Sequence, residues 1–375
     1  MAEISGGLLT ANAGDALNSF LLGFFLPYLL KNPVLIALLP VMAAVRGSIM
    51  TSMASRLTTA LHLGAAEPRI GELLGRETGR TLTLALASSL YVGILVSFMT
   101  LYSPYQTVST AAYSALLALL FLLPVTVLVI VVGFRYNLNP DNYVAPVLTV
   151  LGDVSTVPSL VAVSLVIEGR ADVELLLAVT AAYIGLSSLL YYALTGGESR
   201  RVVGEGLLSL ILVGLIESGT GGLYDRFTAA LVGLAVIHIV PSLMEDIGAS
   251  LSVLASRMTT DLYLSGFEYA VKRSLVGLTE VVLGSLASMV VLSTIGVAAG
   301  SVAGFDVGLA YMFKVIAFSW LGLLALLIPL VLLLVWVSVR IGLDPDNIVI
   351  PLITSIVDLS VIPFLVFIVA PLLAG

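Results

Sequence analysis

The sequence predicts an all-α polytopic membrane protein in which two parallel five-helix repeats are joined by a linker transmembrane helix, giving about 11 spans. The first observation behind this prediction is composition: hydrophobic residues make up 59% of the chain, charged residues 10%, and the mean hydropathy is +1.13. Soluble domains carry about 25% charged residues. The second observation is that the apolar runs are about 20 residues long, which suits spanning helices rather than the ~10-residue strands of barrels. The third is an internal duplication.

A polar motif occurs twice inside apolar sequence, at a constant offset of 205 residues, as from Asp153 to Asp358. On a helix, the Asn, Pro, Thr and Asp of each copy stand at positions i, i+4, i+7 and i+11, which share one stripe. Two copies that keep their polar residues indicate duplicated chemistry. The copies are Asn139, Pro140, Asp141, Asn142, Pro146, Thr149 and Asp153, and then Asp344, Pro345, Asp346, Asn347, Pro351, Thr354 and Asp358.

A second segment is also duplicated, and it precedes the main motif in both halves. It covers residues 40–59 and again 241–260, an offset of 201, and each copy contains a glycine followed by Ala-Ser-Arg-x-Thr-Thr. Because the order of the two segments is the same, the chain is predicted to be a tandem duplication of a five-helix unit. We assign residues 1–168 to the first repeat, 169–201 to the linker helix and 202–375 to the second repeat.

The apolar runs set the predicted positions of the spans. The run at 205–220 is interrupted by Glu217 and by three glycines, so we expect a broken or re-entrant helix there. The run at 172–195 belongs to neither copy. The predicted spans lie near 8–30, 35–60, 81–102, 110–134, 143–167, 172–195, 205–220, 228–262, 275–299, 308–338 and 347–372.

The helix at 172–195 determines the predicted symmetry. Five spans alone would invert the second repeat, whereas one more crossing makes the two repeats parallel. In this topology eleven of the 16 basic residues lie on the face that carries the N-terminus. The positive-inside rule therefore places the N-terminus in the cytoplasm and the C-terminus outside. We expect an integral membrane protein of the plasma membrane.

The first residues of each motif have a simple structural interpretation. Asn139 suits an N-cap, Pro140 the first helical position and Asp141 the positive helix end. This interpretation does not explain Asp153 and Asp358, which lie 11 residues beyond the motif's last asparagine, about 16 Å along the helix and near mid-membrane. A charge at that depth costs ~2.5 to 3.5 kcal/mol on insertion scales, so it normally faces a cavity or a partner.

If a pseudo-twofold axis relates the two parallel repeats and brings Asp153 and Asp358 together, their negative charges would repel each other. A divalent cation between them removes that repulsion. Hard oxygen ligands suit Mg²⁺, with Mn²⁺, Co²⁺ or Ca²⁺ as alternatives. We predict that Asp153 and Asp358 bind a largely hydrated ion. The structural alternative is that each aspartate caps a helix kink or pairs with an arginine. We expect this ion site to lie in a pore. The residues predicted to line or support that pore are Asn142, Asn347, Thr149, Thr354, Asp141, Asp346, Pro146 and Pro351.

Composition also excludes other chemistry. The chain has no cysteine and only two histidines, so disulfides, thiolate sites and a zinc cluster are excluded, and no catalytic residue or bound cofactor is predicted. The formal charge of −7 speaks against nucleic acid and favours cationic partners. The expected partners are divalent cations and the lipid bilayer, with the chain working as a pseudo-dimeric monomer.

The two copies differ in their charged residues at one place. Glu245 and Asp246 stand where the first copy has apolar residues, and Arg46 has an apolar counterpart. One interpretation is an ion pair between Arg46 and one acid, which relieves the cost of burying either alone. The other is a secondary cation site at Glu245 and Asp246. Arg56 and Arg257 fall near cytoplasmic helix ends, where an arginine can snorkel to the interface.

Both duplicated segments closely resemble the two signatures of the eukaryotic solute-carrier magnesium transporters that are related to bacterial MgtE channels. The resemblance covers residues 35–165 and 236–372, and the chain departs from it at Met50, where the group has an acidic residue. The resembling residues are Asn139, Pro140, Asp141, Asn142, Ala145, Pro146, Gly152 and Asp153, and Arg46, Gly47, Ala54, Ser55, Arg56, Leu57 and Thr59.

The resemblance implies that each half is similar to one MgtE membrane subunit and that the family's pore aspartate corresponds to Asp153 and Asp358. The expected function is transport of a divalent cation, Mg²⁺ first, through a pore at the interface of the two repeats. An exchanger coupled to Na⁺ or H⁺ stays open, because intramembrane aspartates also carry coupling ions. An intramembrane aspartyl hydrolase is the alternative from another class. The Gly-x-Gly-Asp pattern of such proteases is absent, so we predict that the protein is not an enzyme.

Overall fold

The computed structural model describes residues 2–135, 140–168, 185, 197–341 and 345–374, and within them all regular secondary structure is helical, with short connections between the helices. A π-helical turn, Leu365–Val369, and a last helical turn, Ala370–Ala374, continue the final long helix. The long helices of the described residues are α1 (Ala2–Lys31), α2 (Pro33–His62), α3 (Ile70–Thr100), α4 (Pro104–Arg135), α5 (Pro140–Glu168), α6 (Gly197–Gly233), α7 (Val240–Ser265), α8 (Phe267–Val302), α9 (Leu309–Arg340) and α10 (Pro345–Phe364).

Among the described residues, eight helical stretches are long and apolar enough to cross a membrane by length and composition. They lie on α2, α3, α4, α5, α6, α8, α9 and on α10 with its continuation. Helices satisfy their own backbone hydrogen bonds in lipid, which explains why sequence this apolar forms no other structure there. The predicted all-α polytopic membrane fold is confirmed, whereas the full number of spans stays a prediction.

Prolines and one glycine mark several helix boundaries. Helices α2, α5 and α10 begin at Pro33, Pro140 and Pro345. The first N–H groups of a helix have no intrahelical acceptor, so proline, which has no N–H, loses no hydrogen bond at that position. Gly266 separates α7 from α8. Its φ of 80° is a backbone conformation that costs glycine little. These boundaries position both polar motifs at the start of a helix.

The prediction of a broken helix at 205–220 is wrong. Helix α6 runs without interruption from Gly197 to Gly233, through Glu217 and the neighbouring glycines, because those glycines serve close packing rather than a turn. The chain leaves the helix instead at residues 234–239, where Ala235 adopts a left-handed φ of 54°. The helix predicted at 228–262 is therefore divided between the end of α6 and α7.

By packing, the chain forms two units, Met1–Leu21 with Pro27–Asp225 and Leu22–Leu26 with Arg226–Gly375. In the first unit α2 packs against α3, α4 and α5, and in the second α7 packs against α8, α9 and α10. The same helix pairs are therefore formed in both units. The repeat boundaries given above stay a prediction, and the linker helix at 172–195 lies outside the described residues apart from residue 185.

Helix α6 packs in the first unit through glycines. A Cβ at Gly214 would lie 3.1 Å from the ring of Tyr91 on α3, and one at Gly221 would collide with the carbonyl oxygen of Ala37 on α2. Nearer its end, α6 is held by the Tyr102 hydroxyl, which donates a 2.7 Å hydrogen bond to Asp225. Burial and this carboxylate raise the pKa of Tyr102 above its usual range.

We expect Gly221→Val to lower the stability of the first unit by about 1 to 3 kcal/mol, the usual cost of overpacking. The new Cβ would meet a backbone carbonyl, which cannot turn aside as a flexible side chain would. The thermal midpoint of the purified full chain measures this effect. Gly222→Ala is the control on the same turn, since its Cβ would lie at an ordinary 3.4 Å from Met99 Cβ. Equal midpoints for the two variants would contradict the close approach of α6 and α2.

Candidate intramembrane cation site

Each polar motif forms the first half of a helix. Asp153 and Asp358 follow 13 residues after Pro140 and Pro345, the first residues of α5 and α10. Thirteen residues of helix span about 20 Å, which places both aspartates well inside these helices. Both side chains are partly buried. The motif side chains that lie outside the described part of the chain are those of Asn139, Pro140, Asp141, Asn142, Pro146, Thr149, Asp344, Pro345, Asp346, Asn347 and Pro351.

The two duplicated segments meet in both units. In the first, a Cβ at Gly152 on α5 would lie 4.0 Å from the backbone nitrogen of Gly47 on α2. In the second, a Cβ at Gly248 on α7 would lie 3.5 Å from Cγ2 of Thr354 on α10. Gly47 and Gly248 are counterparts at the offset of 201. The same position of the second duplicated segment thus lies against the motif helix in both units, at Gly152 in the first and at Thr354 in the second, each within about one helical turn of the aspartate.

The helix period gives the directions of the two carboxylates. Asp358 lies four residues after Thr354, so it projects from the face of α10 that contacts α7. Asp153 follows Gly152 directly, so its side chain points about 100° away from the α2 contact. Another helix contacts α5 nearer to the direction of Asp153, at Val150.

That helix is α1, which the sequence did not associate with the site. In the first unit Gly14 lies against the side chain of Val150, three residues before Asp153. Buried polar residues follow Gly14 on α1: Asp15 is 6% exposed and Asn18 7% exposed. The available signal was an acidic residue inside a predicted span, which is costly unless it has a function or a partner.

In the described part of the chain, no three acidic, histidine or cysteine side chains lie close enough together to hold a metal ion. A divalent ion at either aspartate would therefore have to keep much of its water. Mg²⁺ suits this condition, since it loses water reluctantly and is commonly held by one or two carboxylates.

The residues that differ between the two copies are also positioned by neighbouring helices. On α7, Asp246 accepts a 2.6 Å hydrogen bond from the Ser288 hydroxyl on α8, and the indole of Trp320 on α9 lies beside the same carboxyl without a well-formed hydrogen bond. Arg46 on α2 is 3% exposed and lines a small cavity among α2, α3 and α4. The secondary cation site at Glu245 and Asp246 stays a prediction, as does the pairing of Arg46 with an acid.

Arg56 of the second duplicated segment takes part in a buried ion cluster. Its Nη2 and Nε atoms lie 2.7 and 3.2 Å from Oε2 of Glu77 on α3, and Nη1 of Arg80 lies 3.0 Å from Oε1 of the same carboxylate. The Glu77 side chain is 1% exposed, whereas that of Arg56 is 22% exposed. Snorkelling alone therefore does not describe Arg56, because its guanidinium also neutralises a buried acid.

His238 is a packed residue rather than a metal ligand. It is fully buried between α6 and α7, with Nε2 2.8 Å from the carbonyl oxygen of Gly296 and its ring stacked on Phe305. Burial lowers the pKa of His238, with the hydrogen bond to Gly296 opposing that shift. This environment favours the neutral ring.

The helices define an all-α polytopic membrane protein that carries aspartates inside its candidate spanning segments. The family model described as "MgtE: Divalent cation transporter" matches residues 39–163 and 240–368. The chain belongs to this family, and the two matches contain both copies of the duplicated segments. A family of transporters also agrees with the prediction that the protein is not an enzyme.

Two curated mouse proteins are similar to this chain. Solute carrier family 41 member 3 is 24% identical over 273 residues, which cover 68% of this chain and 55% of that protein. Solute carrier family 41 member 2 is 23% identical over 242 residues, covering 60% of this chain and 42% of that protein. The chain thus spans about half the length of the curated relatives it matches. No solved structure matches it.

Proposed function

We propose that this chain moves divalent cations across a membrane, with Mg²⁺ as the first candidate and with Asp153 and Asp358 binding the ion. The observation that carries the proposal is the meeting, in each unit, of the two duplicated segments beside the aspartate. The meeting of these segments in both units favours a function that needs both carboxylates. Membership of a divalent cation transporter family supports the same class of substrate.

The proposed ion keeps most of its water while it passes the aspartates. Two carboxylates and polar side chains offer hard oxygen ligands, which Mg²⁺ prefers and which also accept Mn²⁺, Co²⁺ or Ca²⁺. The duplication would let the two aspartates share one ion in a pore between the repeats, with the chain acting as a pseudo-dimeric monomer. Asn142, Asn347, Thr149 and Thr354 belong to the same helical stripes and would contact the water shell.

Flux into liposomes with defined ion gradients tests this function. Purified protein is reconstituted with a Mg²⁺-sensitive dye inside, and external Mg²⁺ is added while the Na⁺ gradient, the pH gradient and the membrane potential are set separately. We expect uptake that follows the electrochemical gradient of Mg²⁺ and needs neither Na⁺ nor H⁺ gradients. Uptake that requires one of these counter-ions would identify an exchanger instead, and protein-dependent uptake no faster than that of empty liposomes would contradict transport.

We also propose that the chain resides in the plasma membrane with its N-terminus in the cytoplasm, its C-terminus outside and a membrane crossing at 172–195. Because the chain has no cysteine, single introduced cysteines can be labelled without background. We expect a cysteine at Gly169 to react with a membrane-impermeant maleimide from outside the cell, and one at Glu198 to react only after permeabilisation. Labelling of both from one side would remove the crossing and make the repeats inverted.

A further inference from the structure

Helix α1 touches the motif helix α5 at two places in the first unit. Gly14 lies against Val150, and the Tyr28 hydroxyl donates a 3.0 Å hydrogen bond to Oγ of Ser164. The two contacts are separated by the same 14 residues on both helices, from 14 to 28 and from 150 to 164. Helices α1 and α5 therefore run parallel in this unit, and residue n of α1 lies level with residue n + 136 of α5.

This register places polar residues of α1 at the level of the motif aspartate. Asp153 lies level with Leu17, so Asp15 and Asn18 are displaced from it by two residues and one residue, about 3 and 1.5 Å along the helix axis. Leu17 itself is 48% exposed, whereas Asp15 and Asn18 are 6% and 7% exposed. The apolar residue thus faces outward while the two polar residues lie on the buried side of α1.

The direction of Asp153 agrees with this placement. Val150 contacts α1, and Asp153 lies three residues later, about 60° around α5 from that contact. Asn18 is four residues after Gly14, about 40° around α1 from the same contact. The side chains of Asn18 and Asp153 therefore project from the facing sides of two parallel helices at nearly the same depth.

One buried polar atom at this level lacks a hydrogen-bond partner among the described residues. Oδ1 of Asn18 is buried and accepts no hydrogen bond from any part of the chain that the structure describes. A buried acceptor without a partner is unfavourable, so such an atom normally has a binding role or a bound molecule. An amide oxygen accepts a hard cation, or the water around one, as readily as a hydrogen bond.

We propose that α1 supplies two oxygen ligands, the carboxylate of Asp15 and the amide oxygen of Asn18, to the divalent cation that Asp153 binds. Two carboxylates and one amide can bind the ion directly or through its water shell, so the ion can keep most of its water, in agreement with its reluctance to dehydrate. Asp15 and Asp153 are only two acidic residues, so a metal ion bound to them would also need water molecules to complete its coordination. The inference rests on the proposed function, because the ion concerned is the transported one.

At the offset of 201, α6 carries no carboxylate or amide at the positions of Asp15 and Asn18, although the buried acid Glu217 stands one residue away. Ile216 and Gly219 on α6 are the counterparts of Asp15 and Asn18, and α6 residues up to Asp225 pack in the first unit. The ligand set at Asp153 is therefore richer than the one that the duplication alone would give at Asp358. The two aspartates are therefore expected to contribute unequally to binding of the ion, with the larger contribution from the side of Asp153.

The test uses the full chain and two measurements on the variants Asp15→Asn, Asn18→Leu and Asn18→Asp. The first is the Mg²⁺ concentration that gives half-maximal flux into liposomes. The second is the shift in thermal midpoint that Mn²⁺ alone causes for the protein in detergent. This measurement does not depend on transport, and Mn²⁺ accepts the same oxygen ligands as Mg²⁺. Ser19→Ala is the control, since Ser19 is a fully buried neighbour on the same helix.

We expect Asp15→Asn and Asn18→Leu to raise the half-maximal concentration about 10- to 100-fold and to reduce the Mn²⁺-induced shift, since loss of even an outer partner has an effect of that size. Asn18→Asp should lower the half-maximal concentration and enlarge the shift, because it adds a negative charge at the ion. A packing role predicts the opposite for Asn18→Asp. Wild-type values of both measurements in Asp15→Asn and Asn18→Leu would overturn the proposal.

The two measurements also separate this inference from the proposed function. Absent flux in the wild-type protein, with a Mn²⁺-induced shift that depends on Asp15 and Asn18, would reject transport but retain the ligand assignment. Normal flux, with variants that match Ser19→Ala in both measurements, would retain transport and reject the assignment. Loss of folding in Asp15→Asn is checked by its thermal midpoint without metal, and Asn18→Asp then decides the question.

Discussion

Asp153→Asn and Asp358→Asn are each expected to reduce divalent cation flux about 100-fold or more while the protein stays folded. Removal of even an outer partner of a metal ligand costs about 10- to 100-fold in affinity or activity, and a carboxylate that binds the ion itself should cost at least as much. Asparagine keeps the size of the side chain but not its charge. Liposome flux and the thermal midpoint, measured on the same preparations, separate loss of function from loss of folding.

A matched control is Asp306→Asn, which makes the same chemical change at an exposed residue between α8 and α9. Its flux should equal that of the wild-type protein. The double variant should be no more active than either single variant, because both aspartates are proposed to act on one ion path. Near wild-type flux in both single variants and in the double variant would falsify the assignment of these residues.

The helices and the duplication could be predicted from local sequence. Apolar runs of spanning length fix where helices exist, and the polar motifs recur with offsets that need no structural information. The starts of α5 and α10 at Pro140 and Pro345 followed from the preference of proline for the first helical turn. Each of these inferences depends on residues close together in the chain.

The division between α6 and α7 was missed because the apolar run continues through it. Gly233 ends α6 and Pro241 stands in the first turn of α7, so the usual stop and start signals were present. The glycines at 219, 221 and 222 were a stronger local signal, and they misled because their role is contact with other helices. Whether a glycine bends a helix or lets another helix approach is decided by tertiary packing.

The candidate site shows the same limit. The acids of the main motif are recognisable because they are repeated, whereas Asp15 occurs once, and its relation to Asp153 depends on the register between α1 and α5. No pattern along the chain encodes that register. The contact of Arg56 with Glu77 likewise joins residues on two helices, and the sequence placed Glu77 before the predicted span at 81–102. Pairings across helices were therefore the part that required the structure.

Glu77→Gln is expected to destabilise the protein by about 3 to 5 kcal/mol, the range measured when one partner of a buried ion pair is removed. Glu77 is 1% exposed and holds Arg56 at 2.7 Å and Arg80 at 3.0 Å, so the amide would remove the negative charge that both guanidinium groups contact. The Arg80 side chain is 9% exposed, which leaves water little access to compensate. Denaturation of the purified protein in mild detergent measures the loss.

Two further variants distinguish charge burial from packing at this cluster. Glu67→Gln removes the acid of an exposed ion pair, in which Nε of Arg69 lies 2.9 Å from Oε2 of Glu67. This substitution should change stability by less than about 1 kcal/mol, because solvent screens the exposed charges. Glu77→Leu combined with Arg80→Leu removes a buried charge pair together and should be less harmful than Glu77→Gln alone, since apolar replacements of buried pairs are often neutral. If Glu77→Gln were no more harmful than Glu67→Gln, the cluster would contribute nothing to holding α2 against α3.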